Sequence, residues 1–218
     1  MFSIRVSALA VTLALAAMPA VAAVSPNLIA NPGNESALTD GDIPGWKELA
    51  GSTWTQRSES PEPFEGSFYF FAGANASAVL RQTIDLSDFG TQIDAGLLGL
   101  NFSGRVRSFL QSPADTATIT LSFLDASAST LDTFTSGAIA NTTEWQLVSS
   151  ALVAPALARS VQVDLVSTRN GGANNDGYFD DLHLTTVSMV PEPASSALLL
   201  AGLAATVALA RRRRSTRE

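Results

Sequence analysis

Between residues 24 and 188 the chain is divided into short runs in which apolar and polar side chains alternate with a period of two. In 79–86, Leu80, Gln82, Ile84 and Leu86 alternate with Val79, Arg81, Thr83 and Asp85. In 116–123, Ala117, Ile119, Leu121 and Phe123 alternate with Thr116, Thr118, Thr120 and Ser122. In 160–167, Val161, Val163, Leu165 and Ser167 alternate with Ser160, Gln162, Asp164 and Val166. This spacing sends one set of side chains into a core and the other into water, as half-buried strands require. Residues 66–72, 97–106, 144–153 and 177–187 also have strand composition, and clusters of Gly, Pro, Asn, Asp and Ser separate the runs. There is no long amphipathic helix and no internal repeat. The pattern predicts an all-β, antiparallel β-sandwich formed by one domain over 24–188, with the Pro/Glu-rich stretch 58–65 as a surface loop.

The two ends follow other rules. Residues 1–23 read as a signal peptide: Arg5 supplies the positive start, 6–17 an apolar run, and Ala20-Val21-Ala22 a cleavage site. At the other end, 194–210 is an uncharged stretch rich in Leu and Ala. As a helix of about 1.5 Å per residue it just reaches across a hydrocarbon core. Pro191 and Pro193 prevent the helix from extending upstream, and Arg211 to Arg214 would stay on the cytoplasmic side. The body would thus be exported and held at the inner membrane by its C-terminus.

The order of Pro191, Glu192 and Pro193, then the hydrophobic helix 194–210, then Arg211, Arg212, Arg213 and Arg214, resembles the PEP-CTERM sorting signal of exopolysaccharide-producing Gram-negative bacteria. The resemblance covers residues 189–218. It implies recognition by an exosortase-type enzyme, a transient membrane anchor, and delivery to the cell envelope, outer surface or extracellular matrix. A permanent tail anchor is the other reading.

Charge narrows the partners. The whole chain carries −7, but residues 24–190 hold 7 basic and 18 acidic side chains, a net −11. Such a body repels phosphate backbones, which argues against nucleic acid and favours cations. The chain has no cysteine and a single histidine, His183, so disulfides, thiolate nucleophiles and multi-histidine metal centres are excluded. Alternation points His183 outward, and no G-x-S-x-G is present to place a serine nucleophile. The expectation is a protein that is not an enzyme. A small glycosidase, which needs two facing carboxylates, is the alternative.

Near the start of the body stand "NLIANPGNES" and "DGDIPGWK"; near its end stand "TEWQLVSSALVAP" and "SVQVDLVSTRNGGANNDGYFDDLHL". This layout is similar to the galactose-binding-like jelly rolls of many carbohydrate-binding modules. Asn34 stands where an aromatic residue usually precedes the glutamate. The resemblance implies a jelly roll and a structural calcium held by Glu35 and Asp180 between the first and last strands. Alternation would place Asp180 in the inward row of Leu182 and Leu184; an Asp180 that caps a loop is the competing reading. The Gly/Asn/Asp-rich stretch 169–177 suits a turn and would also supply oxygen ligands. Of the tryptophans, Trp145 sits in an alternating strand and is expected in the core. Trp54, among Gln56 and Arg57, is the candidate ring for stacking a sugar. The expected activity is non-catalytic binding of a carbohydrate or exopolysaccharide; a structural biofilm-matrix protein with no specific glycan is the alternative.

Overall fold

Each alternating run becomes a strand whose apolar parity faces a second sheet. The computed structural model describes residues 25–51 and 53–189, with Gly202 and Thr206 beyond them. The expected signal peptide 1–23, the Pro-Glu-Pro motif and the arginine cluster lie outside the described residues, as does the helix 194–210 apart from Gly202 and Thr206. No helix among the described residues is long and apolar enough to cross a membrane.

Among the described residues, ten strands run in chain order: β1 (Lys47–Ala50), β2 (Thr55–Arg57), β3 (Tyr69–Phe71), β4 (Ser77–Asp85), β5 (Leu98–Ser108), β6 (Thr116–Leu124), β7 (Thr130–Thr135), β8 (Gln146–Val153), β9 (Ser160–Thr168) and β10 (Gly177–Ser188). They form two five-stranded sheets, β1-β4-β9-β6-β7 and β2-β3-β10-β5-β8. Every pairing is antiparallel. The body is an antiparallel jelly-roll β-sandwich, as the alternation and the body's resemblance led us to expect. A single helical turn, α1 (Gly90–Asp94), links β4 to β5 and buries Ile93.

The core lies between the sheets. Leu80 and Ile84 of β4, Ile119, Leu121 and Phe123 of β6, and Val161, Val163 and Leu165 of β9 meet Phe70, Leu100, Phe102, Val106, Phe179, Leu182 and Leu184 of the second sheet. Each such side chain contributes about 1.5–3 kcal/mol on burial. Gln82 occupies the inward row of β4 but is not wasted there. Its amide accepts from Ala30 N (2.8 Å) and donates to the Ala30 (3.0 Å) and Gly45 (2.9 Å) carbonyls, fastening the N-terminal segment to the sandwich. All ten strands and the whole core lie within the compact unit Ala22–Met189, which therefore carries what it needs to fold by itself.

The expectation for Asp180 needs correction. The β10–β5 register shifts between Asp180 and His183, and Asp181 takes a left-handed backbone at φ 49°. This bulge inserts an extra residue and reverses the parity of the strand. Phe179, not Asp180, enters the core row with Leu182 and Leu184. Asp180 faces the opposite, outer side of the second sheet, opposite Arg105.

Candidate functional site

Although outward-facing, Asp180 is fully buried, because the loop before β3 folds over it. Its Oδ2 accepts from Phe64 N (2.7 Å) and Glu65 N (3.2 Å), and Oδ1 accepts from Asp181 N (2.8 Å). Glu35 holds the next turn of the same loop: its Oε1 accepts from Ser67 N (2.9 Å) and Phe68 N (2.8 Å). A Cβ at Gly33 would lie 3.3 Å from Asp180 Oδ1 and 3.8 Å from Glu35 Oε1, so the two carboxylates flank one backbone position. Gly66 turns at φ 68°, and a side chain there would strike the Glu35 carboxylate. The structure thus brings Glu35 and Asp180 together, as the body's resemblance implied. Burial raises the Asp180 carboxyl from its usual 3.8 to about 7, against the lowering effect of its three N–H donors. Asn34, the residue that departs from the usual aromatic, sits at φ 61° and joins β2 to β3 by donating to Thr55 O (3.1 Å) and Tyr69 O (3.3 Å). Its buried Oδ1 has no partner among the described residues.

Beside this pair, Glu65, Asp181 and His183 bring three ligand-type atoms within 4.8 Å of one another, the one such group of three among the described residues. The hydrogen bonds around His183 argue against a metal there. Asn27 Oδ1 accepts from Ile29 N (3.1 Å) and Leu184 N (2.9 Å), which turns its amide N–H towards His183 Nδ1 (3.3 Å). Nδ1 must then accept, so the ring proton sits on Nε2 and is donated to Asp181 Oδ1 (2.7 Å). No lone pair is left for a cation. Glu65 shares a hydrogen bond with Asp181, which raises its carboxyl above the ordinary value. His183 is outward-facing as expected, 46% exposed, but it is hydrogen-bonded through both nitrogens.

The tryptophans exchange places relative to expectation. Trp54 is 1% exposed and packs 6.2 Å from Phe179, so it belongs to the core and offers no ring to a ligand. The polar residues beside it mark the edge strand β2, whereas its own side chain points between the sheets. Trp145 precedes β8 and is only half-buried. It stands on the outer face of the second sheet, 5.5 Å edge-on to Tyr69. Tyr69 and Tyr178 are fully buried there, outside the main core, with their rings 5.0 Å apart. Burial holds both phenols well above their ordinary pKa. The loop 58–65 lies over them: Tyr69 Oη donates to Glu59 O (2.9 Å) and Trp145 Nε1 to Glu62 O (2.9 Å).

Arginines complete this face. Arg57 lies over Phe71 at 4.8 Å and pairs with Asp176 at 3.3 Å, while Tyr178 Oη donates to Asp176 (2.7 Å). Arg105 lies over Phe64 at 4.1 Å. Arg107 is the register partner of Tyr178, one residue beyond the Val106–Gln146 pair and so next to Trp145. Its buried Nε has no partner among the described residues. A groove of about 460 Å³ along the first sheet is lined by Lys47, Leu49, Thr83 and Gln162 together with Arg81, engaged on Asp164, and Gln82, engaged on Ala30 and Gly45.

The stretch 169–177 is a turn, as expected, and it is held by Asp115, which the sequence reading did not single out. Asp115 is fully buried and accepts from Asn170 N (2.6 Å), Gly171 N (3.0 Å) and Asp176 N (2.7 Å).

A family model described as a PEP-CTERM protein-sorting motif matches residues 190–214. The chain carries a PEP-CTERM sorting motif. The motif marks an exported protein sorted to the cell surface. Among solved structures, the CBM22-1 xylan-binding domain of Paenibacillus barcinonensis Xyn10C is 16% identical with a TM-score of 0.50, over 73% of this chain and 94% of that one. A family 16 carbohydrate-binding module is 18% identical with a TM-score of 0.50, over 72% and 99%. The enzymatically active domain of bacteriophage CBA120 tailspike protein 4 is 15% identical with a TM-score of 0.53; the match covers 72% of this chain but only 21% of the tailspike. These likenesses establish a shared fold. No curated protein sequence matches the chain.

Proposed function

We propose that the body is a non-catalytic glycan-binding module, delivered through the inner membrane by an exosortase-type enzyme to the cell envelope or exopolysaccharide matrix. The observation that carries this reading is Arg107: a buried guanidinium N–H without a partner, beside the half-exposed ring of Trp145. Leaving such a donor unmatched costs about 1–3 kcal/mol, which a sugar hydroxyl accepting from it would recover. Arg107 Nε is closed to solvent, so a pyranose stacked on Trp145 would have to displace its cover to accept from it. The fold shared with a xylan-binding domain supports this assignment.

Glu35 and Asp180 are proposed as calcium ligands. A hard cation takes six to eight oxygens, and these two carboxylates with the orphaned Asn34 Oδ1 are donors of the right chemistry. A buried carboxylate raised to about 7 also lacks the positive neighbour a cation would supply. The competing matrix-protein reading draws on the loop 58–65, which covers Tyr69 and Tyr178. A glycan array on Ala22–Met189, followed by titration of any ligand found, decides between them. Trp145→Ala and Arg107→Ala should each weaken binding by about tenfold or more at unchanged melting temperature. A wild-type body that retains no glycan sinks the binding reading.

A further inference from the structure

Four strands form the open edges of the two sheets: β1 and β7 in the first, β2 and β8 in the second. Exposed edges invite pairing with another chain, and folded proteins guard them with charges, prolines or brevity. β1 is four residues long and carries Lys47 and Glu48; β2 is three residues long and carries Arg57; β7 carries Asp132. β8, Gln146–Val153, is the longest of the four at eight residues and contains neither a charge nor a proline. Apart from its ladder with β5, no backbone group of β8 has a hydrogen-bond partner among the described residues. Its outward side chains include Leu147 at 50% and Val153 at 53% exposure, with Met189 exposed nearby, close to Gly99 opposite Val153.

We propose that β8 is a self-recognition edge at which two copies of this chain pair antiparallel about Ser150, joining their second sheets across a twofold axis. The sequence of the strand is self-complementary in that register. Leu147 falls opposite Val153 of the second copy on the outer face, and Val148 falls opposite Leu152 on the core-facing side. Ser149 meets Ala151, and Ser150 meets itself. Each apolar cross-strand pair then occurs twice, as a twofold requires, and such pairs contribute about 0.2–1 kcal/mol each beyond the backbone bonds. Charge selects the same edge. The body is strongly acidic, and β8 is where two copies approach without opposing charged side chains from the strand itself. A second copy is therefore the occupant, in preference to a charged peptide or another edge.

The register can be trapped covalently because the chain has no cysteine. Opposed Cα atoms in an antiparallel pair lie about 4.5–5.5 Å apart, within disulfide reach. Under mild oxidation, Ala22–Met189 bearing Ser150→Cys should form a disulfide-linked dimer, whereas Asp132→Cys on the β7 edge should not. Adding Leu147→Lys and Val153→Lys to Ser150→Cys should lower the cross-linked yield about tenfold without changing the melting temperature. Sedimentation over a concentration series should show monomer and dimer for the wild type. Equal cross-linking at positions 150 and 132 would overturn the proposal, as would a monomer throughout or open-ended filaments, since a twofold contact closes after two copies.

Discussion

Glu35 and Asp180, from the first segment and the last strand of the body, hold adjacent turns of one loop. Asp180 takes the N–H groups of Phe64 and Glu65, and Glu35 those of Ser67 and Phe68. Each carboxylate gathers backbone donors that the sheet cannot satisfy, so the two ends of the body are joined through a third segment.

Removing the Asp180 carboxylate should therefore be costly. Asp180→Ala strands the buried N–H groups that it satisfies, at about 1–3 kcal/mol each. Urea unfolding should show a loss of several kcal/mol, with Glu35→Ala, a more exposed position, losing less. A loss for Asp180→Ala no greater than that of an average surface substitution would show that the clamp is not needed for stability.

The raised Asp180 pKa fixes the sign of a pH effect. A carboxyl at about 7 when folded and 3.8 when unfolded binds a proton in the folded state that the unfolded chain releases. Its favourable contribution is complete below about pH 4 and is lost as pH rises through about 7. The metal-free body should then lose stability between about pH 4 and pH 7, and Asp180→Asn should flatten that slope. A slope of opposite sign in wild type, unaffected by the substitution, would contradict the assignment.

Calcium should reverse that trend by favouring the ionised form. Stabilisation by a bound ion follows RT ln(1 + [Ca]/Kd), about 2.7 kcal/mol at 100 times Kd, or several degrees in melting temperature. Chelator should lower the melting temperature at neutral pH, and Asp180→Asn should remove most of the difference. Identical melting curves with calcium and with chelator would eliminate the ion.

The two tryptophans should separate stability from binding. Trp54→Ala empties a core position and should cost about 3–5 kcal/mol. Trp145→Ala, on a half-buried ring, should cost far less in chemical denaturation. Near-equal losses would mean that Trp145 is as structural as Trp54.

For the sorting motif, replacing Pro191, Glu192 and Pro193 with alanine should retain the protein in the inner membrane fraction. Surface delivery equal to wild type would show that these residues are not read.

The strands were legible in the sequence because period-two burial leaves a direct trace: Leu80, Ile119 and Val163 each fall inward as their spacing requires. The convergence of Glu35 with Asp180 was legible only through resemblance. What misled was local: the bulge at Asp180 and Asp181 adds one residue and takes Asp180 out of the inward row while Leu182, Leu184 and His183 keep their expected sides, yet two adjacent aspartates do not announce it. Trp54 looked exposed because its neighbours Gln56 and Arg57 belong to an edge strand with one polar side. Asp115 gave no signal at all, since a loop aspartate and a buried loop clamp read alike until the fold brings Asn170 and Asp176 to it.

Asp115, Asp180 and Glu35 do for this cysteine-free body what covalent cross-links do in many small exported domains, and they do it with protons and lone pairs. Nothing in the described fold waits on an oxidant, a disulfide isomerase or a particular glutathione poise. The body should survive a reducing exterior that would open a disulfide-bonded neighbour.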